Sequence, residues 1–539
     1  MPPAGKRVLL LYTDRYYLIR QVYPFGLDVL ANHLRAHGHE AVIDYPFLPG
    51  EDMEANVARS LQRHDPDVVG LGIRNLDTCM SCEKFGDFER EHFRAFNFPP
   101  HIRRIVQAVR AAKPDVPVIL GGGGFTIAPA ELLAYLDVEY GVAGEGENPL
   151  LRFVEALPDL EAVSRIPGMA VNRNGAVCVN PREGYAFTTG PEGLNRDPGF
   201  SHSHETMGLP VQVKRGCNRK CSYCVEPLIE GSHILYRDPF DVIQELQTVD
   251  ERYPAIQKIF FVDTEFNVPD LKHCSELVAL LLNAGLEKRF RFASQFLPRP
   301  FDDDFAALLA RAGFSVVLTC DSLSDTVLRA NYVAHSAADI QQSIELCERY
   351  GLDLTVNLIF GLPGETFETL DRTMEALRRH PPAPGRRYEY TLGGRVYPGT
   401  SLHSLALEDA MSPHLYGAPT PGLLEPYFYC APLPPLELKE YVESRLSFSI
   451  EFNNRFTPEK HRSLAIRYLV DRADWEEAAA LFTQSPAATQ ADLFDYFFRK
   501  ATAVRAVDTA RTVVDCVRQS ASPGGELATM ADFYASLLP

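Results

Sequence analysis

Apolar residues recur along the first 150 positions in short runs separated by amphipathic stretches. Residues 8–12 (VLLLY) form an unbroken apolar run of strand length. Residues 25–37 set Leu27, Leu30 and Leu34 on one helical face and stop at Gly38. Strands follow at 40–45, 67–73, 116–120 and 138–142, with helices at 55–64 and 102–112 between them. Strands alternating with helices predict an α/β fold built on a parallel, doubly wound sheet. Ligands of such sheets sit outside the carboxyl ends of the strands. Three segments fall there: Arg74 and Asn75; Gly121, Gly122, Gly123, Phe125 and Thr126; and Gly144 with Glu145.

Residues 75–101 break the alternation. They are rich in phenylalanine and charge, carry Cys79 and Cys82, and read as an insertion above that crevice. Residues 168–180 are predicted to form a hairpin about Asn174-Gly175. A polar stretch at 181–208 reads as a linker. A second β/α series has strands predicted at 211–214, 258–262, 289–294, 315–319, 354–360 and 388–396. Six such units predict a partial (β/α)6 barrel, with its chemistry at the C-terminal strand ends. From about 431 glycine thins out and helical periods dominate, which predicts a helical cap. The expected organisation is a first domain at 1–165, hairpin and linker at 166–208, barrel at 209–430 and helical domain at 431–539.

Composition narrows the function classes. The 539 residues are 46% hydrophobic and 23% charged, which excludes a disordered chain, a collagen-like fibre and a small disulfide scaffold. A net charge of −18 argues against a nucleic-acid or anionic membrane partner. No apolar run reaches the roughly 18 residues of a membrane span, and the run at 8–12 is too short for a signal peptide. The expectation is a cytoplasmic protein. Its eleven cysteines are then thiols or metal ligands rather than disulfides.

Three of them form a C-x3-C-x2-C triplet, Cys217, Cys221 and Cys224, directly after a predicted strand. Three thiolates at this spacing fit three corners of a [4Fe–4S] cluster and leave the fourth iron open. Arg219 and Lys220 would offset part of the cluster's charge. Packed free thiols and a zinc site are the alternatives, though no fourth Cys or His ligand is apparent nearby. At the next strand end, Asp263 and Glu265 flank Thr264 and point to one face.

The triplet, with Tyr223 before its last cysteine, resembles the signature of the radical S-adenosylmethionine (SAM) superfamily. The resemblance extends through Gly361 in 357–366 (NLIFGLPGET) and Arg395 in 395–400 (RVYPGT). It implies that the open iron chelates SAM, which one electron cleaves to a 5′-deoxyadenosyl radical. It also implies an electron donor such as flavodoxin or ferredoxin. By the same resemblance Asp263 or Glu265 holds the methionine amine, and Ser294 is a third-strand contact. Asp321 and Ser322 stand at the ribose position, with Asp in place of the usual Glu. The other reading of Asp263 and Glu265 is a solvated strand end. A further possibility is that Glu265 ligates the open iron, as in a non-radical relative that methylates tryptophan.

The first domain resembles the cobalamin-binding domain fused to one branch of that superfamily. The residues carrying this are Pro24–Leu27, Gly38–Glu40, Pro66–Gly70, Leu120–Gly124 and Gly144–Glu147. Glycine-rich strand ends let backbone approach a large flat ligand. No G-x-G-x-x-G follows the first strand, which argues against a dinucleotide domain. No Asp-x-His-x-x-Gly motif is present, so a lower axial histidine is not expected. Arg74 is the residue best placed beneath cobalt; its alternative is a salt bridge to Asp77 or another insertion carboxylate. Cys79 and Cys82 are read as packed thiols in preference to a second metal site.

Together the resemblances imply a cobalamin-dependent radical SAM methyltransferase acting on an unactivated carbon of a small-molecule or peptide intermediate. The alternatives are a ring-forming or rearranging enzyme with the same cofactors, and a cobalamin-binding sensor. The helical tail and the insertion are the expected lids.

Overall fold

The computed structural model describes residues 5–15, 22–48, 52–185, 187, 200, 204, 207–452 and 458–538. Much of the predicted linker lies outside these residues.

The first sheet contains five parallel strands, Arg7–Tyr12, Glu40–Asp44, Val68–Gly72, Val118–Gly121 and Tyr140–Val142. Their spatial order is second, first, third, fourth, fifth. Strand Arg7–Tyr12 is buried along nearly its whole length because helices cover both faces. Helices Phe25–Ala36 and Glu147–Ala156 contribute to the core on one face, and Met53–His64 and Pro99–Ala112 to that on the other. The antiparallel hairpin Met169–Arg173 and Ala176–Val179 extends the fifth strand. Asn174 (φ 53°) and Gly175 (φ 87°) make its turn, as the sequence predicts.

The second sheet is wholly parallel and runs in chain order: Leu209–Val211, Lys258–Phe261, Arg291–Phe296, Phe314–Asp321, Asp353–Phe360 and Arg386–Leu392. The first and last strands do not pair, so the barrel is open. Phenylalanines pack between the strands and the surrounding helices, with the Phe261, Phe292 and Phe314 rings stacked at 5.3–5.9 Å. A seventh strand, Glu451–Phe452, pairs with the sixth. Two residues are too few to show a period, which hides it from sequence reading. Helix Pro435–Ser444 also packs into the barrel core through Leu438 and Val442.

Five helices follow: Pro458–Asp471, Trp475–Thr483, Ala487–Ala503, Val507–Ser520 and Glu526–Leu537. Their apolar faces share a core with Val8, Leu10 and Ile43 of the first sheet. Tyr468 donates to Asp44 Oδ1 at 3.1 Å, and Arg472 Nη1 to the Ile43 carbonyl at 3.0 Å. The tail therefore covers the edge strand of the first sheet. The sequence reads the tail as a lid; its packing places it on this edge.

The insertion joins the two sheets. It carries a small hairpin, Phe88–Arg90 and Phe93–Ala95. Phe93 packs edge-on to Phe428 at 5.5 Å. Ser81 Oγ donates to the carbonyl of Leu392, at the end of the sixth barrel strand, at 2.7 Å.

Candidate functional site at the facing strand ends

The cysteine loop leaves the first barrel strand through Lys214–Arg215, which pairs with Leu235–Tyr236. Gly216 (φ 97°) turns the chain where an added Cβ would lie 2.1 Å from the His233 carbonyl oxygen. Cys217 is buried, and Cys221 and Cys224 are partly so. The Ser222 hydroxyl donates to Asn331 Oδ1 at 2.7 Å and its N–H to the Asn331 carbonyl at 3.0 Å, which pins the loop at its middle. Burial pushes the Cys221 thiol up to about 12, helped by the negative charges of Asp321, Cys217 and Glu265. Thiols and carboxylates gathered in one buried space are electrostatically favourable as anions only around a cation. Among the described residues no three His, Cys, Asp or Glu side chains converge on one ion. A cubane takes its thiolates on separate irons, so the triplet need not converge on one point.

Around the triplet lie polar atoms with no partner. Among the described residues, Asp263 Oδ2, Glu265 Oε2, Asp321 Oδ1, Asn357 Oδ1, His335 Nδ1 and Arg219 Nε are buried without a hydrogen bond. Native interiors rarely leave such atoms unsatisfied, so six at one barrel mouth mark a space built for a polar ligand. Glu265 (φ 56°) and Asp321 (φ 61°) both hold left-handed backbone, a strain that clusters at binding sites. Burial raises Glu265 to about 8, with Asp321's charge adding to it. Tyr223 sits beside Asp321, and burial likewise raises both groups. Asp263 Oδ1 accepts the N–H groups of Val213 and Lys214 at 2.8 Å each, and burial raises it to about 6.

The first sheet presents its own strand ends to this loop. The order second-first-third makes the first and third strands the topological switch point. There Arg74 Nη1 meets Asp14 Oδ2 at 3.2 Å; 45% of the Arg74 side chain is accessible against 4% of Asp14. Tyr12 donates to the same carboxylate at 3.3 Å. Next to it runs the glycine crest. Cβ atoms added at Gly122 (φ 101°) and Gly124 would fall 2.5 Å from the Ile73 oxygen and 3.0 Å from the Asn75 Cα. An added Cβ at Gly123 would lie 3.3 Å from Ile229, in the short helix Glu226–Ile229 that follows Cys224. At Gly121 the nearest atom would be 4.0 Å away. The glycines thus let two strand-end loops close into a flat crest facing the cysteine loop. Thr126 Oγ1 accepts the Gly144 N–H at 2.9 Å and fastens the next loop to it.

Comparison with known proteins fits this geometry. Residues 211–377 match the Radical SAM superfamily, and residues 99–154 match the B12 binding domain. The chain carries a radical SAM domain and a cobalamin-binding domain. It is 28% identical over 423 residues to tryptophan 2-C-methyltransferase of Streptomyces laurentii, covering 66% of this chain and 68% of that one. The structure of the methyltransferase TsrM from Kitasatospora setae, with cobalamin and a [4Fe–4S] cluster bound, superposes with a TM-score of 0.71. The identity is 22%, over 88% of this chain and 99% of that one. The cobalamin-dependent radical SAM enzyme OxsB with aqua-cobalamin bound gives a TM-score of 0.64 at 11% identity, over 99% of this chain and 82% of that one. The unpartnered atoms at the barrel mouth fit SAM and the cluster, and the flat crest beside Arg74 fits cobalamin.

Several residues singled out in the sequence make their contacts within the protein. Arg395, read as a cofactor contact, spends every donor inside the protein, on Asp77 and on the carbonyls of Val396, Leu423, Glu425 and Tyr427. Ser294 Oγ donates to the Phe261 carbonyl at 2.9 Å and links two strands. The Phe125 ring is fully buried, lying where a Cβ on Gly141 would be. Arg74 pairs with Asp14, not with Asp77. Cys79 and Cys82 diverge: Cys79 Sγ lies 3.0 Å from the Tyr397 hydroxyl, whereas Cys82 enters the barrel core. Ser322, whose Oγ accepts the Ser324 N–H at 3.2 Å, is buried beside Asp321. Gly361 (φ 91°) turns against Cys430, where an added Cβ would lie 2.6 Å from the sulfur. Glu145 is half-buried beside Arg182 and Tyr185 at a shallow pocket. Asn357 opens the 357–366 segment already noted in the sequence, where Gly361 is the residue singled out, and His335 escapes sequence reading.

Proposed function

We propose that this chain transfers a methyl group from SAM, by way of cobalamin, to a ring carbon of a small aromatic amino acid or a close derivative. The observation that carries the reading is the contact between the two halves. The Gly123 crest lies against Ile229, so the cobalamin crest and the cysteine loop face each other with Arg74 between them. When bound, the cofactors supply the methyl donor and its relay.

The chain's own residues bind, orient and exclude water. Cys217, Cys221 and Cys224 would hold the cluster. Glu265, whose buried Oε2 makes no hydrogen bond and whose charge acts on Cys217 and Cys221, would supply a carboxylate to the iron they leave open. That arrangement favours polar methyl transfer over radical cleavage and so an electron-rich acceptor carbon. Lys214 and Arg219 offset the acidic groups. Asp14 holds Arg74 at the crest. The aromatic acceptor class is supported by the tryptophan methyltransferase relative and by the TsrM structure with tryptophan and a SAM analog bound.

Anaerobically reconstituted enzyme, given SAM with a deuterated methyl group and a panel of aromatic amino acids including tryptophan, tests this. The expected products are S-adenosylhomocysteine and an acceptor carrying the labelled methyl. Formation of 5′-deoxyadenosine without S-adenosylhomocysteine would sink the reading.

A further inference from the structure

The loop that presents Arg74 is fastened to the barrel by a buried ion pair. Asp77 is 0% exposed and Arg395 4%. Asp77 Oδ2 accepts from Arg395 Nε at 2.6 Å. The other carboxylate oxygen accepts the Cys79 N–H at 2.8 Å and the Tyr397 hydroxyl at 3.4 Å. Arg395 lies just past the sixth barrel strand, and the Arg395 guanidinium stacks 4.6 Å from the Tyr397 ring. One carboxylate therefore gathers donors from both domains. A guanidinium with all five N–H groups directed fixes orientation as well as distance, which an apolar contact free to slide does not.

We propose that the Asp77–Arg395 pair is a positioning device for the reaction. It locks the Arg74 loop against the barrel mouth and so sets the separation across which the methyl group passes. The inference rests on the methyl-relay reading above. Both side chains spend their polar atoms on protein groups and act through the loop between Ile73 and Cys79, which closes on Gly124 through hydrogen bonds of 2.9 Å to the Ile73 and Arg74 carbonyls.

The test uses the full chain with Asp77→Asn, Arg395→Gln and the double variant, which removes both charges and so avoids stranding one in the interior. In the cofactor-free protein, hydrogen exchange at 74–82 and at 394–397 should rise together while the central strands of both sheets stay protected. In the loaded enzyme, cluster iron and bound cobalamin should stay at wild-type content. The kcat for methyl transfer should fall about 10- to 100-fold, with KM for SAM little changed. Asp77→Glu, which keeps the charge, should recover part of the rate. Exchange that rises at only one of the two segments, or evenly over both sheets, would overturn the proposal, as would a wild-type kcat in the double variant. If the wild-type enzyme methylates nothing, the relay reading fails while the paired rise in exchange still reports the clamp.

Discussion

Asp263 accepts the backbone N–H of Lys214 at 2.8 Å, and the same oxygen accepts that of Val213. One carboxylate at the second strand end thus shapes the turn that leads from the first strand into the cysteine loop. Asp263→Ala would leave two buried N–H groups unpaired, at about 1–3 kcal/mol each. The expected result is a loss of about 2–4 kcal/mol in urea unfolding of the cofactor-free chain, together with poor cluster assembly. Asp263→Asn keeps a carbonyl acceptor and should assemble the cluster. Equal loss in both variants would mean that the charge, not the acceptor, matters.

Glu365 gives a pH dependence. It is 5% exposed and accepts the Thr369 hydroxyl at 2.5 Å, and burial raises it to about 7. An unfolded glutamate titrates near 4.3. The protonated folded form is favoured, so its stabilisation is full below about pH 4.3 and is lost as pH rises through about 7. Glu365→Gln mimics the protonated form. Relative to wild type it should be close to neutral near pH 4 and more stable by about 3–4 kcal/mol at pH 8. Denaturant unfolding of the cofactor-free chain across this range checks it; a pH-independent difference would show that Glu365 is not held neutral.

The alternation of strand and helix was enough to read both sheets, because period and strand length are local properties. The strand-end rule then located Cys217, Arg74 and Gly121–Gly124 without coordinates. Arg395 shows where that rule stops. A strand end says that a residue lies near the chemistry, not which partner it takes, and Asp77 comes from another domain. The helical tail fails for the same reason. Its apolar face is legible at Leu464, Tyr468 and Leu469, but nothing local says that Val8 and Ile43 bury it. The Glu265 and Asp321 backbone strain is invisible too, since no glycine marks either position.

The cysteine triplet is separable from the cobalamin crest. Cys221→Ala removes one cluster corner but touches neither Arg74 nor the glycines. The purified variant should carry little iron and lose its broad cluster absorbance, while binding cobalamin like the wild type. Iron at wild-type content after anaerobic reconstitution would refute the ligand assignment.

Arg74 can be tested without turnover. Its guanidinium is half accessible, but the Asp14 carboxylate it pairs with is buried. Arg74→Ala should therefore cost about 1–2 kcal/mol in the first domain, less than a fully buried pair because half the cation already meets open space. Removing this cation from the crest should also change the visible and paramagnetic spectra of bound cobalamin, which report directly on the groups near cobalt. Arg74→Lys keeps the charge but not the planar fork held by Asp14, so its spectra should fall between the other two. Cluster iron should be the same in all three. Spectra that match the wild type in both variants, with the stability loss still present, would leave Arg74 as an ion-pair partner of Asp14 and remove it from the cobalamin site.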